Sequence, residues 1–224
     1  MQTILKQKAV TLRHQGLSYS EILKEVPVAK STLALWLQSV GLSQKQKQRL
    51  TQKKLEAAHR GAAKKRQIRI EKTDAIKNAA KLQAAKLFHN PLWLIGTVLY
   101  WGEGEKEKSW RPSSRVTFSN MDAQAHKMFL RWTDTFLRVP QDLFVYAIFI
   151  HKGAATKEAR KFWSEQLHVP EKRFVVYFKN KKSETQRKNT GENYHGVLMI
   201  RIRKSSDLNR KIAGWIEYVI ESCA

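Results

Sequence analysis

A chain of 224 residues with 42% hydrophobic content can bury the core of one or two domains, which excludes wholesale disorder. Its 42 Lys+Arg against 19 Asp+Glu leave a formal charge of +23 and a pI near 10.2. A surplus of that size suits a polyanionic partner, because neutralising phosphates releases their counterions. The one cysteine, Cys223, excludes an internal disulfide framework and a Cys-rich zinc site, and fits a reducing compartment.

The opening "MQTILKQKAV" lacks the apolar core of a signal peptide, and the longest apolar stretch, Leu92 to Trp101, is half the ~20 residues that span a bilayer. The expectation is a cytoplasmic, nucleoid-associated protein of a bacterium or phage, with no membrane and no small-molecule substrate. Charge alone suits DNA, RNA, a ribosome or an anionic membrane equally.

Residues 1–42 read as a trihelical unit. "TILKQKAVTLRHQG" has helical apolar spacing at Ile4, Ala9, Val10 and Leu12, and Gly16 closes it. In "SYSEILKEV", Ser18 and Glu21 have the spacing of a capping box. After a "PVAK" break, "STLALWLQSVG" offers Leu33, Trp36 and Leu37 as a packing face. Two short helices around a tight turn form a helix-turn-helix pattern. It resembles the DNA-binding domains of resolvases and related transposase or phage regulators. The resemblance implies that Lys30, Ser31, Thr32 and Ala34, at the start of the second helix of the pair, meet bases or phosphates. A trihelical packing module with no ligand is the alternative.

Residues 43–89 are rich in Ala, Lys, Gln and Arg and contain no proline. Fourteen basic residues face Glu56, Glu71 and Asp74, and apolar residues are sparse, so the segment reads as an exposed basic helical linker, kinked at Gly61. It either tracks a DNA backbone, most densely at Lys64, Lys65 and Arg66, or merely spaces two domains.

Residues 90–224 alternate helix and strand. Asn90-Pro91 starts a helix that runs to about Trp101. "SSRVTFSN" is a strand with Arg115, Thr117 and Ser119 on one face. Asp122 caps a helix through Leu137 with Met128, Phe129, Trp132 and Phe136 on its stripe. "LFVYAIFIH", "RFVVYFK" and "HGVLMIRIRK" are strands, a helix over Ala155 to Leu167 separates the first two, and "NKKSETQRKNTGENY" is a polar loop. In the last strand Leu198, Ile200 and Ile202 oppose Met199, Arg201 and Arg203. Ser206 caps a final helix carrying Leu208, Ile212, Trp215, Ile216 and Val219.

The segment "GTVLYWGEG", Gly96 to Gly104, ends an apolar helix in acid-glycine. With the element order around it, it resembles the LAGLIDADG homing endonucleases over residues 91–222. The fold expected is therefore α+β: a helix-turn-helix, a basic linker, and an αββαββα-like domain with one extra helix. In that family two motif helices pack side by side, a saddle-shaped sheet lies in the major groove, and the terminal acid of each helix binds divalent metal over the scissile phosphates. The resemblance implies Glu103 as catalytic residue and Mg²⁺ ligand, with Lys152 and Lys204 as basic groups at strand ends and His151 a further possibility. Arg115, Thr117, Ser119, Arg201 and Arg203 would face the DNA. One motif per chain implies a homodimer through helix 91–103.

Departures from the pattern are Trp101 in place of the first acid and Val98 in place of a small contact residue, leaving Gly96, Thr97 and Gly102 as the small residues. "KIAGWIEY" at Lys211 looks like a second copy but reads as core packing. Alternatives are a non-catalytic DNA-binding transcription regulator with a degenerate LAGLIDADG-like domain, Glu103 as a surface carboxylate paired with Lys106 or Lys108, and RNA or ribosome binding.

Overall fold

The computed structural model describes residues 2–42, 44–108, 110–151, 155–179 and 194–224. The chain divides into two compact units, Met1–Arg69 and Ile70–Ala224, each with its own core. No helix among the described residues is long and apolar enough to cross a membrane.

In the first unit α1 (Gln2–His14), α2 (Tyr19–Glu25) and α3 (Lys30–Trp36) enclose Ala9, Ile22, Val26, Leu33 and Leu37. Trp36 packs at the rim of this core. Ser18 and Glu21 form the reciprocal capping box that their spacing predicts. Gly16 follows α1 at φ +89, where a side chain would be strained and a Cβ would lie 2.7 Å from Gln46.

Helix α4 (Gln44–Leu87) is continuous through Gly61, so the linker is not broken there. Its start belongs to the first unit, where Gln46 Nε2 donates to the His14 carbonyl and Arg49 to that of Gly16. Its end belongs to the second, where Ala80 and Ala84 are buried in the core. The middle stretch from Thr51 to Ile68 is exposed throughout.

The second unit follows the order α5 (Pro91–Glu103), β1 (Thr117–Asn120), α6 (Ala123–Trp132), β2 (Phe144–His151), α7 (Thr156–Leu167), β3 (Phe174–Lys179), β4 (Val197–Ile202) and α8 (Ser206–Cys223). A π-helical turn, Thr133–Leu137, prolongs α6. The sheet order is β1-β4-β2-β3, with β4 antiparallel to both neighbours and β3 parallel to β2. The parallel pair needs a crossover connection, and α7 supplies it. What is added between the antiparallel partners β2 and β4 is thus α7 together with β3, not a helix alone.

Leu198, Ile200, Ile202, Phe118, Tyr146, Ile148 and Phe174 are buried on one sheet face with residues of α5, α6, α7 and α8. Gly96 of α5 lets α6 come close, since a Cβ there would stand 2.2 Å from the Trp132 ring. Trp132 and Trp93 in turn meet Trp215 edge-on, at 5.8 and 5.6 Å. Gly96 and Thr97 are therefore core residues and not part of an open helix contact. Gly214, in the apparent second motif, lies against α4, where a Cβ would be 2.6 Å from the Lys77 carbonyl, so that segment is core packing. The helix start also shifts by one residue: Ser205 occupies the N-cap of α8. Its hydroxyl accepts from Val116 N–H and donates to the Ile202 carbonyl.

His126 is fully buried between Phe118 and Trp163, and its Nε2 donates to the Asn120 carbonyl. Burial disfavours the imidazolium and lowers its pKa to about 4. Because the unfolded chain binds this proton near the ordinary value of 6.5, the stabilisation is complete above that pH and is lost as pH falls towards 4. We expect the second unit to lose on the order of 3 kcal/mol across this window. Urea unfolding at stepped pH should show the slope, and His126→Phe should flatten it.

Candidate nucleic-acid interface

On α3, Lys30, Ser31 and Ala34 are exposed and Thr32 is half-buried. The N-terminus of the preceding helix is braced by α4: Lys53 and Arg49 both pair with Glu21. The Lys53 hydrogen bond, then the capping bonds from Ser18, hold the Glu21 carboxyl at about 2. Lys64, Lys65 and Arg66 are exposed on α4. Successive helical residues are ~100° apart, so these three fan around the helix and do not share one face.

Helix α5 turns Trp93, Gly96, Thr97 and Tyr100 inward. Its outer face carries Ile95, Val98 and Trp101, exposed by 52, 44 and 43%, beside Gly102, which has open space around it. Spacings of three residues place this apolar stripe along one side of the helix. Glu103 is the last, exposed residue of α5. The negative end of the helix is met by Lys106, whose Nζ donates to the Trp101 carbonyl at 2.8 Å. Lys108 instead lies over the Trp110 ring. Among the described residues no cation pairs with the Glu103 carboxylate, so the expected partnership with Lys106 or Lys108 is not formed.

After α5 the chain folds back as a short hairpin, with bridges Gly104–Phe118 and Lys108–Arg111, and Glu105 N–H donates to the Thr117 carbonyl at 2.9 Å. Gly104 is required at its first turn, because a Cβ would sit 2.5 Å from the Tyr100 ring. Two adjacent buried residues of α8 hold the loop from below. Asn209 Nδ2 reaches the carbonyls of Glu105 and Arg115 at 2.9 and 3.1 Å and the Tyr100 hydroxyl at 3.2 Å. The Tyr100 hydroxyl donates to the Glu105 carbonyl, and burial raises its pKa well beyond the ordinary phenol value. Arg210, 5% exposed, pairs with Glu107 at 3.2 Å and Asp207 at 2.9 Å.

The register sets Thr117 opposite Arg201 and Ser119 opposite Met199, on the sheet face away from the helical core. Arg115 is exposed beside them, and a cleft of ≈ 330 Å³ lies between Arg111, Arg115, Thr117 and Arg201. The structure thus brings Arg115, Thr117 and Arg201 to one cleft, but Thr117 is buried, 6% exposed, with its hydroxyl donating to the Arg115 carbonyl, and Ser119 lies further along β1 outside the cleft. Arg203 departs from this group, because its guanidinium donates to the Asp142 carbonyl and is held at the turn before β2. Lys204 is exposed in a left-handed turn, φ +53, leading into α8. Lys152 lies outside the described residues, as does most of the polar loop after β3. His151 ends β2 with its ring stacked on Tyr194.

Sequence reasoning missed Arg111, Asn209 and Arg210. The signal for the last two was the "NR" that interrupts the apolar stripe of the final helix, where polar residues at core positions require buried partners.

The Arg210 clamp has a measurable consequence. Arg210→Met would leave the mostly buried Glu107 carboxylate without its cation, and we expect a loss of about 3 kcal/mol in urea unfolding. The double variant with Glu107→Gln should recover a good part of that loss.

Comparison of the chain with protein-family models, with curated proteins and with solved structures finds no match.

Proposed function

We propose that this protein binds double-stranded DNA sequence-specifically as a homodimer and cleaves it with Mg²⁺, in the manner of a LAGLIDADG homing endonuclease. The observation that carries the reading is the presence of three features in one unit: an apolar helix face with no cover among the described residues, a carboxylate at the end of that helix with no cation paired to it among them, and a cleft between Arg111, Arg115 and Arg201 at the β1–β4 side of the sheet. Setting aside the α7–β3 excursion leaves helix, strand pair, helix, strand pair, helix, with the hairpin after α5 as the first pair. That order supports the resemblance. The helix-turn-helix and the exposed basic length of α4 supply further contacts to the backbone and to a half-site.

In this reading Ile95, Val98 and Trp101 of two copies pack together and bring two Glu103 carboxylates near the symmetry axis. Among the described residues no group of three His, Cys, Asp or Glu could hold an ion within one chain. The metal proposed is Mg²⁺, a hard cation that takes carboxylate oxygens and keeps several waters. Bound there, the ion would stabilise charge on the attacking and leaving oxygens of a phosphodiester. Glu103 would be its protein ligand, Arg115 and Arg201 would hold the strand, and Lys204 would add a further cation; Lys152 lies outside the described residues.

A second reading, a DNA-binding transcription regulator that does not cut, is favoured by Trp101 in the stripe and by Lys106 being engaged by a helix carbonyl and not free as a catalytic cation.

Selection from a randomised duplex library with Mg²⁺, recovering bound and cut molecules separately, tests both. Glu103→Gln should lower cleavage at least about a hundredfold and spare binding; unchanged cutting would reject Glu103 as the metal ligand. Binding of one site by both proteins with no cutting by either would establish the regulator. Val98→Glu should convert the dimer to monomer by light scattering, and a wild-type protein that is already monomeric would overturn the shared site.

A further inference from the structure

We infer that the hairpin loop between α5 and β1 is a nucleotide clamp, seating one phosphate between Arg111, Arg115 and Arg201 and stacking the attached base on Trp110. This rests on the nucleic-acid reading for the polymer that brings the nucleotide, but the chemistry is that of any phosphorylated nucleotide.

Three observations carry it. The first is the charge balance of the cleft. Its one lining carboxylate, Glu105, holds Arg111 loosely at 3.8 Å, and Glu107 is turned away to Arg210. Among the described residues Arg115 and Arg201 have no carboxylate within 4 Å.

The second is Arg201 itself. It is half-buried on the sheet, and the one side-chain partner of its guanidinium among the described residues is the Met199 sulfur at 3.4 Å. A thioether is a weak acceptor, so a partly desolvated cation faces the cleft with most of its donors unused. A phosphate matches that fork bidentately. It would also outcompete Glu105 for Arg111, since it brings more charge and more acceptor oxygens.

The third is Trp110, 79% exposed at the hairpin tip with the Lys108 ammonium 5.4 Å from its ring centroid. A second, adjoining recess is lined by Trp110, Lys106 and Lys108 and shares Glu105, Arg111 and Ser114 with the first. An exposed indole in a recess that adjoins a cationic cleft can take a base while the cleft takes the attached phosphate, and base–aromatic stacking is indifferent to base identity. The buried supports Asn209 and Arg210 keep the loop in place without reaching into the cleft.

The test is calorimetric titration of the full chain with thymidine 5′-monophosphate, thymidine and inorganic phosphate. It would be repeated with Arg201→Gln, Arg115→Gln and Trp110→Ala. We expect tighter binding of the nucleotide than of the nucleoside, weakened about tenfold by each Arg→Gln change. Trp110→Ala should weaken the nucleotide about tenfold and leave inorganic phosphate unaffected. Arg115 and Trp110 are exposed, so their variants report on binding and not on folding. Equal affinity for nucleotide and nucleoside, or both Arg variants within twofold of the parent, would overturn the clamp. Loss confined to these variants in a protein that binds no duplex would support the clamp and reject the DNA reading. Duplex binding unchanged in all three variants would overturn the clamp and the strand-holding role of Arg115 and Arg201, leaving duplex contacts to the helix-turn-helix and α4.

Discussion

Two neighbouring side chains of the last helix hold the loop on which the candidate site is built. Asn209 satisfies the backbone of the hairpin at both of its arms, through Glu105 and Arg115, while Arg210 takes the Glu107 carboxylate from the middle. Buried groups of this kind tolerate little displacement, since each lost partner leaves a desolvated donor or charge. The loop in turn sets where α5 ends, where Arg111 and Arg115 stand, and how β1 enters the sheet opposite Arg201. Without that anchor the chain after Glu103 would keep its Gly104–Phe118 bridge and Glu105–Thr117 hydrogen bond to β1 but lose its hold on the last helix.

The same economy of negative charge runs through the molecule. With 19 acids among 42 basic residues, several acids have evident internal work. Glu21 caps α2 and ties it to α4; Asp207, Glu217 and Glu221 take Lys72, Lys77 and Lys81 along the α4–α8 contact. Exposed pairs of this sort contribute about 0–1 kcal/mol each, so their effect is to set where α4 and α8 touch more than to stabilise the fold. They also leave the remaining cations facing outward. Glu103 has no such partner among the described residues, in common with the carboxylates of Asp74, Asp134, Asp142, Glu158 and Glu171, and the end of its helix is met instead by Lys106.

The sheet divides its labour by face. One face is covered by helices and filled by a tryptophan cluster made possible by the absence of a side chain at Gly96. The other carries Thr117, Ser119, Met199 and Arg201, with Val175 and Tyr177 exposed on β3. The α7–β3 excursion widens this face by one parallel edge strand while leaving the β4–β2 pairing intact.

The sequence by itself determined the elements whose causes are local. The capping box at Ser18 and Glu21, the proline start of α5, and the alternation of β4 depend on near neighbours and on a period of two or 3.6, whereas in β1 Thr117 is buried along with Val116 and Phe118. The charge of the surface was equally plain, as was the position of Glu103 at a helix end. Tertiary structure decided what depends on distant partners: that Gly96 and Thr97 face the core, that Arg203 is captured by the turn before β2, that β2 pairs with β4 across an insertion, and that Asn209 and Arg210 hold the hairpin. Each of these is a contact between segments far apart in the chain. Spacing shows which side of an element a residue lies on, but not what the fold brings to that side.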